Sequence, residues 1–371
     1  PFLVGLATSL VFYKQNLLEQ SKLVFTSKPP GISAESLNPY DAKLLELINQ
    51  RLIETLSNTT DKAKLKALKT YKYGFPSHEN LSFRRSYVSS INYERRIPNW
   101  VMECIEKEDV TQNPQVTRTA GCHQNDQVMK NDTFILEDNI IPQDMAMNGS
   151  DWCLLERFCQ HLVSEIDQVY PKLWIVSGPL FQKKEIKKNN FQIVHDVIGV
   201  HNNNNVKHNK NDIAVPTYFF KVLLTKNEKT GHFETASFIM PNHPIAEALP
   251  LSAYQCEVTD IEKYTGLQFF TKVANNDQLH KMDVQQLFEQ LHLSNEDKNR
   301  IQGWRTLGQL QVAKTLESLE AAWQEDQQMG FDESWLQDMH FKKYKETQRI
   351  LIVQYQKWLD SLKSQMKENS N

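Results

Sequence analysis

Between Trp152 and Ile166 the apolar residues Trp152, Leu155, Phe158, Cys159, Leu162, Val163 and Ile166 fall on one helical stripe. A stripe of that width must be buried, so the spacing predicts an amphipathic helix over 150–168 packed on another element. Two compact strands are expected next: Leu173–Ser177, stopped by Gly178-Pro179, and Tyr218–Leu224, entered from Pro216. Between them HNNNNVKHNKND (201–212) is low in complexity and reads as a disordered loop inserted in a hairpin. Phe238–Met240 reads as another short strand, closed by Pro241. Upstream, Phe83–Ile97 alternates loosely as a β region.

The flanks differ. Residues 14–40 are polar, contain Pro29-Pro30-Gly31 and read as a linker; Leu44, Leu45, Ile48, Leu52 and Leu56 then recur at helical spacing. Beyond Asn275 helical periodicity dominates, through Leu307–Trp323 and on from Trp335 to Leu362. The expected units are 1–40, an N-terminal anchor or targeting remnant with its linker; 41–275, a core with an N-terminal helix; and 276–371, an all-helical wing. The fold class expected is α+β, with a mixed or antiparallel sheet.

With 40% hydrophobic residues in 371, the chain can bury a sizeable core. A net charge of −3 provides no global basic field, so attraction to nucleic acid would need a local patch. Five cysteines, an odd number with no CxxC pair, argue against a disulfide framework and a structural zinc site, and for a reducing compartment. The run Pro1–Tyr13 is apolar and uncharged but shorter than the roughly 18 residues of a membrane span. Since the chain starts without Met, this run is expected to be the tail of an anchor or targeting segment; an apolar core element is the alternative.

Two constellations could carry chemistry. Asn148, Trp152 and Glu156 stand at i, i+4 and i+8, one face of a helix, after a loop holding Pro142-Gln143-Asp144. An Asn carbonyl is a hard neutral oxygen suited to Mg²⁺, and Glu156 could hold a water of that ion; the same Asn could equally be a helix cap. Residues 71–100 place Lys72, Arg84, Arg85, Arg95 and Arg96 among Tyr71, Tyr73, Phe83, Tyr87, Tyr93 and Trp100. That mixture suits a nucleic-acid groove, or a solvated hairpin with ordinary core aromatics. Lys183, Lys184, Lys187 and Lys188 read as solvated surface. His123 is the histidine closest in sequence to Asn148, either a general base or plain surface.

Several stretches together resemble a known family: YKYGFP (71–76), YVSS with YERRIPNWVMEC (87–104), AG with NIIPQD (120–144), LWIVSGPLF (173–181), AVPTYFFKVLL (214–224), FIMPN (238–242) and DIEKYTGLQFF (260–270). The chain resembles the DNA/RNA non-specific endonucleases of the ββα-metal (His-Me finger) type. Within them it looks like the mitochondrial endonuclease G group, particularly the endo/exonuclease G-like branch with its C-terminal helical wing. The resemblance implies a Mg²⁺-dependent nuclease (Mn²⁺ as substitute) acting on DNA and RNA. It also implies a homodimer anchored at the mitochondrial inner membrane through the N-terminus. It makes Asn148 the metal ligand, Asn139 and Glu156 supporting polar residues of the site, and Arg95 or Arg96 the phosphate-binding arginine. The family's general base comes from an Arg-Gly-His segment just before Ala120-Gly121, and this chain has none. One β-strand of the ββα motif goes with it, and His123 falls downstream of the missing histidine. The gap reads as a lost exon, as a non-catalytic paralogue that binds nucleic acid or a partner, or as a site using His123 instead.

Overall fold

The computed structural model describes residues 69–84, 86–111, 139–188, 190–198, 212–245, 247–273, 279–328 and position 353. The N-terminal apolar run, the helix expected from Leu44, His123, the Asn-rich insert up to residue 211 and the periodic stretch from Trp335 to Leu362, position 353 excepted, lie outside the described residues.

Strands β1 (Leu81–Phe83), β2 (Tyr87–Asn92), β3 (Ile97–Glu106) and β4 (Lys172–Leu180) come first. β5 (Lys183–Lys187) and β6 (Asn190–Ile193) form a separate hairpin, and β7 (Val197–Ile198) and β8 (Ile213–Ala214) a second small pair. β9 (Tyr218–Lys226), β10 (Phe233–Pro241), β11 (Gln255–Cys256) and β12 (Leu279–Lys281) complete the main sheet. Its order is β1-β2-β3-β4-β9-β10-β11, antiparallel throughout, and β12 pairs with β10 in parallel. The α+β class with a mixed, mostly antiparallel sheet is therefore what the chain adopts. The helices are α1 (Lys107–Thr111), α2 (Cys153–Ser164), α3 (Val258–Thr265), α4 (Val284–Glu289), α5 (Asn295–Val312) and α6 (Leu316–Gln328).

One face of the sheet, with Leu173, Ile175, Phe219, Leu223 and Phe238, buries the stripe Leu155, Phe158, Cys159 and Leu162 of α2. On the other, Trp100, Met102, Trp174 and Phe220 meet Tyr71, Tyr73, Phe75 and Ile261 of α3. A central strand covered on both faces reads as an almost unbroken apolar run, and β9 is that strand. The aromatics Tyr71, Tyr73 and Trp100 thus belong to the core, with only Tyr93 of that group largely exposed.

Three expectations are corrected. Gly178-Pro179 does not stop β4, which runs to Leu180. Pairing with β3 ends at Ser177, so Pro179 lies where no neighbour on that side needs its missing N–H. Gly178 is required by a close approach, since a Cβ there would lie 2.6 Å from the Phe220 ring. β10 starts at Phe233, five residues earlier than its apolar core, because β9 pairs with it along its whole length. The stretch after Asn275 opens with β12 instead of a helix, and Met282 and Val284 continue into the same core as α2.

Candidate active site

The entry to α2 carries Asn148. Asp144 caps it: its Oδ1 accepts the Met147 N–H at 2.9 Å, and its carbonyl accepts the Asn148 N–H at 2.9 Å. After one helical turn, Met145–Met147, the backbone passes through a π turn, Asn148–Trp152, before α2 begins. The Ser150 hydroxyl donates to the Ala146 carbonyl at 2.6 Å, a back-bond of the kind that opens the i→i−4 ladder. The straight-helix relation expected between Asn148 and Trp152 is therefore replaced by a wider turn.

Asn242, just past β10, holds the loop ahead of this turn. Its Oδ1 accepts the Asp144 N–H at 2.7 Å, while its Nδ2 donates to the carbonyls of Pro142 at 3.1 Å and Pro216 at 2.8 Å. The π turn is backed by α5. Trp304 packs so tightly on Gly149 that a Cβ there would sit 2.2 Å from its Cγ. Asp151, fully buried, accepts from Tyr254 Oη at 3.1 Å and Arg305 Nη2 at 3.4 Å, and lies 3.1 Å from Ser150 Oγ. Burial pushes the Asp151 carboxyl above its ordinary range, with Arg305, Ser150 and Tyr254 pulling the other way.

Asn148 itself is half-buried, and its amide has no hydrogen-bond partner among the described residues. No group of three or more His, Cys, Asp or Glu side chains with metal-holding geometry occurs among the described residues. A free neutral oxygen without a ligand cluster fits a hard cation that keeps most of its waters, and not a caged transition metal. Glu156 lies in the first turn of α2 and is 9% exposed. Burial pushes the neighbouring Cys159 thiol up to about 12, Lys221 opposes this, and Glu156 and Glu103 add to it. Two carboxylates and one ammonium thus act on the same patch between α2 and the sheet. Lys221, 4% exposed, donates from Nζ to Ser177 Oγ at 2.8 Å and lies 4.6 Å from the Trp152 ring centroid.

Arg95 and Arg96 sit in the β2–β3 turn, which Asn92 ties by accepting both N–H groups, on Oδ1 and on its carbonyl. Arg96 takes φ +57°, and the Arg95 guanidinium stacks 4.3 Å from the Phe181 ring centroid. Phe181 shares a small cluster with Ile141 of the Asn139–Asp144 loop, which brings Arg95 to the same end of the sheet as the site. Lys183 donates to the Tyr264 carbonyl at 2.9 Å; burial and then the charge of Arg95 lower its ammonium.

Residues 119–276 match the DNA/RNA non-specific endonuclease family. Mitochondrial endonuclease G of Homo sapiens is 29% identical over 233 residues, covering 54% of this chain and 73% of its own. The mitochondrial nuclease of Saccharomyces cerevisiae is 28% identical over 243 residues, 55% of this chain and 69% of its own. Mitochondrial nuclease EXOG of Mus musculus is 26% identical over 321 residues, 75% and 82%. A crystal structure of the EndoG/EndoGI complex aligns with a TM-score of 0.50 at 25% identity, over 60% of this chain and 97% of that one. Over these stretches the chain is similar to the endonuclease G-like mitochondrial nucleases.

Within this endonuclease G-like fold, Asn148 and Glu156 are brought to the head of one helix, and half-buried Asn139 opens the loop that leads to it. Arg95 is at the neighbouring sheet end, and His123 lies outside the described residues. Sequence reasoning misses three contributors. Lys221 left a signal, a single cation inside an apolar strand, which must find a partner when buried. Asn242 stood in FIMPN with no feature marking its side chain as a clasp. The Trp304–Arg305 contact with Gly149 and Asp151 joins residues about 150 positions apart and leaves no local pattern.

Proposed function

We propose that this chain is a mitochondrial protein of nuclease descent that holds a divalent cation at Asn148, binds DNA and RNA, and hydrolyses phosphodiester bonds weakly. The observation carrying this reading is where the family match begins: residue 119, just after the place of the Arg-Gly-His segment. The alignment with human endonuclease G agrees with it. That alignment runs over 233 positions but takes in 54% of these 371 residues, about 200, so roughly thirty positions have no counterpart here.

A bound Mg²⁺ or Mn²⁺ supplies Lewis-acid stabilisation of charge on the phosphoryl and leaving oxygens. Asn148 holds it through a neutral carbonyl, and Glu156 orients surrounding water, with Asn139 supporting the loop. Arg95, whose guanidinium makes no hydrogen bond to a described residue, grips a backbone phosphate, and Arg96 of the same turn is the other candidate. What the sequence lacks is the Arg-Gly-His segment whose histidine would take the proton of the attacking water, a contribution of roughly 10²–10⁴ in rate. The location follows the relatives, which are named mitochondrial; attachment to the inner membrane and a homodimer belong to the same proposal.

Plasmid nicking with Mg²⁺, beside endonuclease G, and anisotropy with short DNA and RNA test this reading. Binding is expected with cleavage at least about 100-fold below endonuclease G, the residue of activity disappearing in Asn148→Ala and persisting in His123→Ala. Cleavage at the rate of endonuclease G would refute the impaired reading; loss of the residual rate in His123→Ala would make that histidine the base. Neither binding nor cleavage would leave a protein-partner role instead.

A further inference from the structure

Helix α5 does more than cover the core. Around Asn148 it touches Ala146 through Trp304 and Leu307, Gly149 through the Trp304 indole, and Asp151 through Arg305. Gly308 brings the same helix against Ala146, where a Cβ would stand 3.4 Å from the Ala146 Cβ. The π turn is thus gripped before and after Asn148, while the Asn148 amide is left without a partner among the described residues.

A π turn inserted in an α-helix is unfavourable in isolation and persists where its surroundings hold it. Closing it to regular α-helix would turn Asn148 relative to Glu156 by about 100° and shift it by about 1.5 Å, one residue's worth of helix. A metal site tolerates roughly 0.5 Å. The conformation of this one turn therefore decides whether Asn148 and Glu156 can serve a common ion.

We propose that Trp304 and Arg305 are positioning residues that hold the π turn open, so that the cation affinity of Asn148 depends on a helix some 150 residues downstream. This rests on the metal reading of Asn148 given above. Helix α5 is then a structural part of the metal site.

The test is Mn²⁺ binding to the full chain, followed by electron paramagnetic resonance of the free ion, with melting temperature and near-ultraviolet circular dichroism recorded in parallel. Trp304→Ala removes the indole from Gly149. The double variant Asp151→Asn, Arg305→Met removes the clamp without stranding a buried charge. Each is expected to bind Mn²⁺ roughly 10–100-fold more weakly while retaining folded spectra, and Arg305→Lys is expected to keep most of the affinity. Should Trp304→Ala fail to fold, Trp304→Phe and the double variant provide the same readout. Unchanged affinity in any folded variant lacking the clamp would overturn the proposal. Failure of the unmodified chain to bind Mn²⁺, or full binding by Asn148→Ala, would instead bring down the metal reading and this inference with it.

Discussion

Replacing Asn242 by alanine should damage the site loop from a position outside the site. The Asn242 side chain makes three hydrogen bonds, accepting one backbone N–H from Asp144 and donating to the carbonyls of Pro142 and Pro216. Its own N–H, bonded to the Thr217 carbonyl at 2.9 Å, is unaffected by the change. At about 1 kcal/mol net for each bond, the loss comes to about 3 kcal/mol, less where water reaches the half-buried carbonyls and more where it cannot. Against a total stability of about 5–15 kcal/mol for a domain this is large. Urea unfolding followed by tryptophan fluorescence should show a lower midpoint at an unchanged m-value, the signature of lost stability without a changed unfolded state. Asn242→Asp provides the sharper comparison, since it keeps the shape and the acceptor but turns a carboxylate oxygen towards two carbonyls. It should be at least as destabilised as Asn242→Ala at pH 7. A loss below about 1 kcal/mol in Asn242→Ala, or an Asn242→Asp variant as stable as the unmodified chain, would refute the clasp.

Gly149→Ala places a Cβ 2.2 Å from Trp304 Cγ, so the indole must leave; overpacking of this kind costs about 1–3 kcal/mol, and an unchanged melting temperature would show that Trp304 does not press on the turn. Glu106 accepts from Lys172 at 2.8 Å and from Lys69; burial alone would raise its carboxyl, but the two ammonium groups outweigh it and hold it below the ordinary range. Because the folded carboxyl titrates lower than the unfolded one, its contribution of about 1 kcal/mol is present above the unfolded pKa near 4.3 and disappears as pH falls through the folded value. Glu106→Gln should accordingly lose stability at pH 7 and close the gap to the parent chain as the pH falls through the folded value; a variant as stable as the parent at pH 7 would refute the ion pair. The thiols of Cys104 and Cys159 are buried and pushed up to about 12, mainly by desolvation. They should escape iodoacetamide at pH 8 until the chain is denatured, and peptide mapping that finds either alkylated in the native protein would contradict their burial.

What could be read without coordinates follows from locality. The stripe from Trp152 to Val163 marks a buried helix face because α-helical periodicity is set by residues three and four apart. The apolar run of β9 marks a strand covered on both faces for a similar reason, and collinear motifs from Ala120 to Phe270 lie inside the stretch that matches the nuclease family. Strand ends were less legible: Gly178-Pro179 is a stop signal only if a neighbour needs the missing N–H, and the extent of β3 decides that. Tyr71, Tyr73 and Trp100 could have lined a groove or filled a core, and only their shared cluster with Trp174 and Phe220 places them inside.

The sequence by itself determined the likeness to the endonuclease G-like nucleases, the mixed sheet with its covering helix, and Asn148 and Glu156 as residues near the start of that helix. Tertiary structure alone decided the geometry at that start: a π turn instead of an α turn, a loop tied by Asn242 about 100 residues away, and a glycine and an aspartate engaged by Trp304 and Arg305 about 150 residues away. Such contacts form between single residues from distant elements, so they impose no period or spacing on the chain. Periodicity records which face is buried; it carries no information on which side chain will press on it.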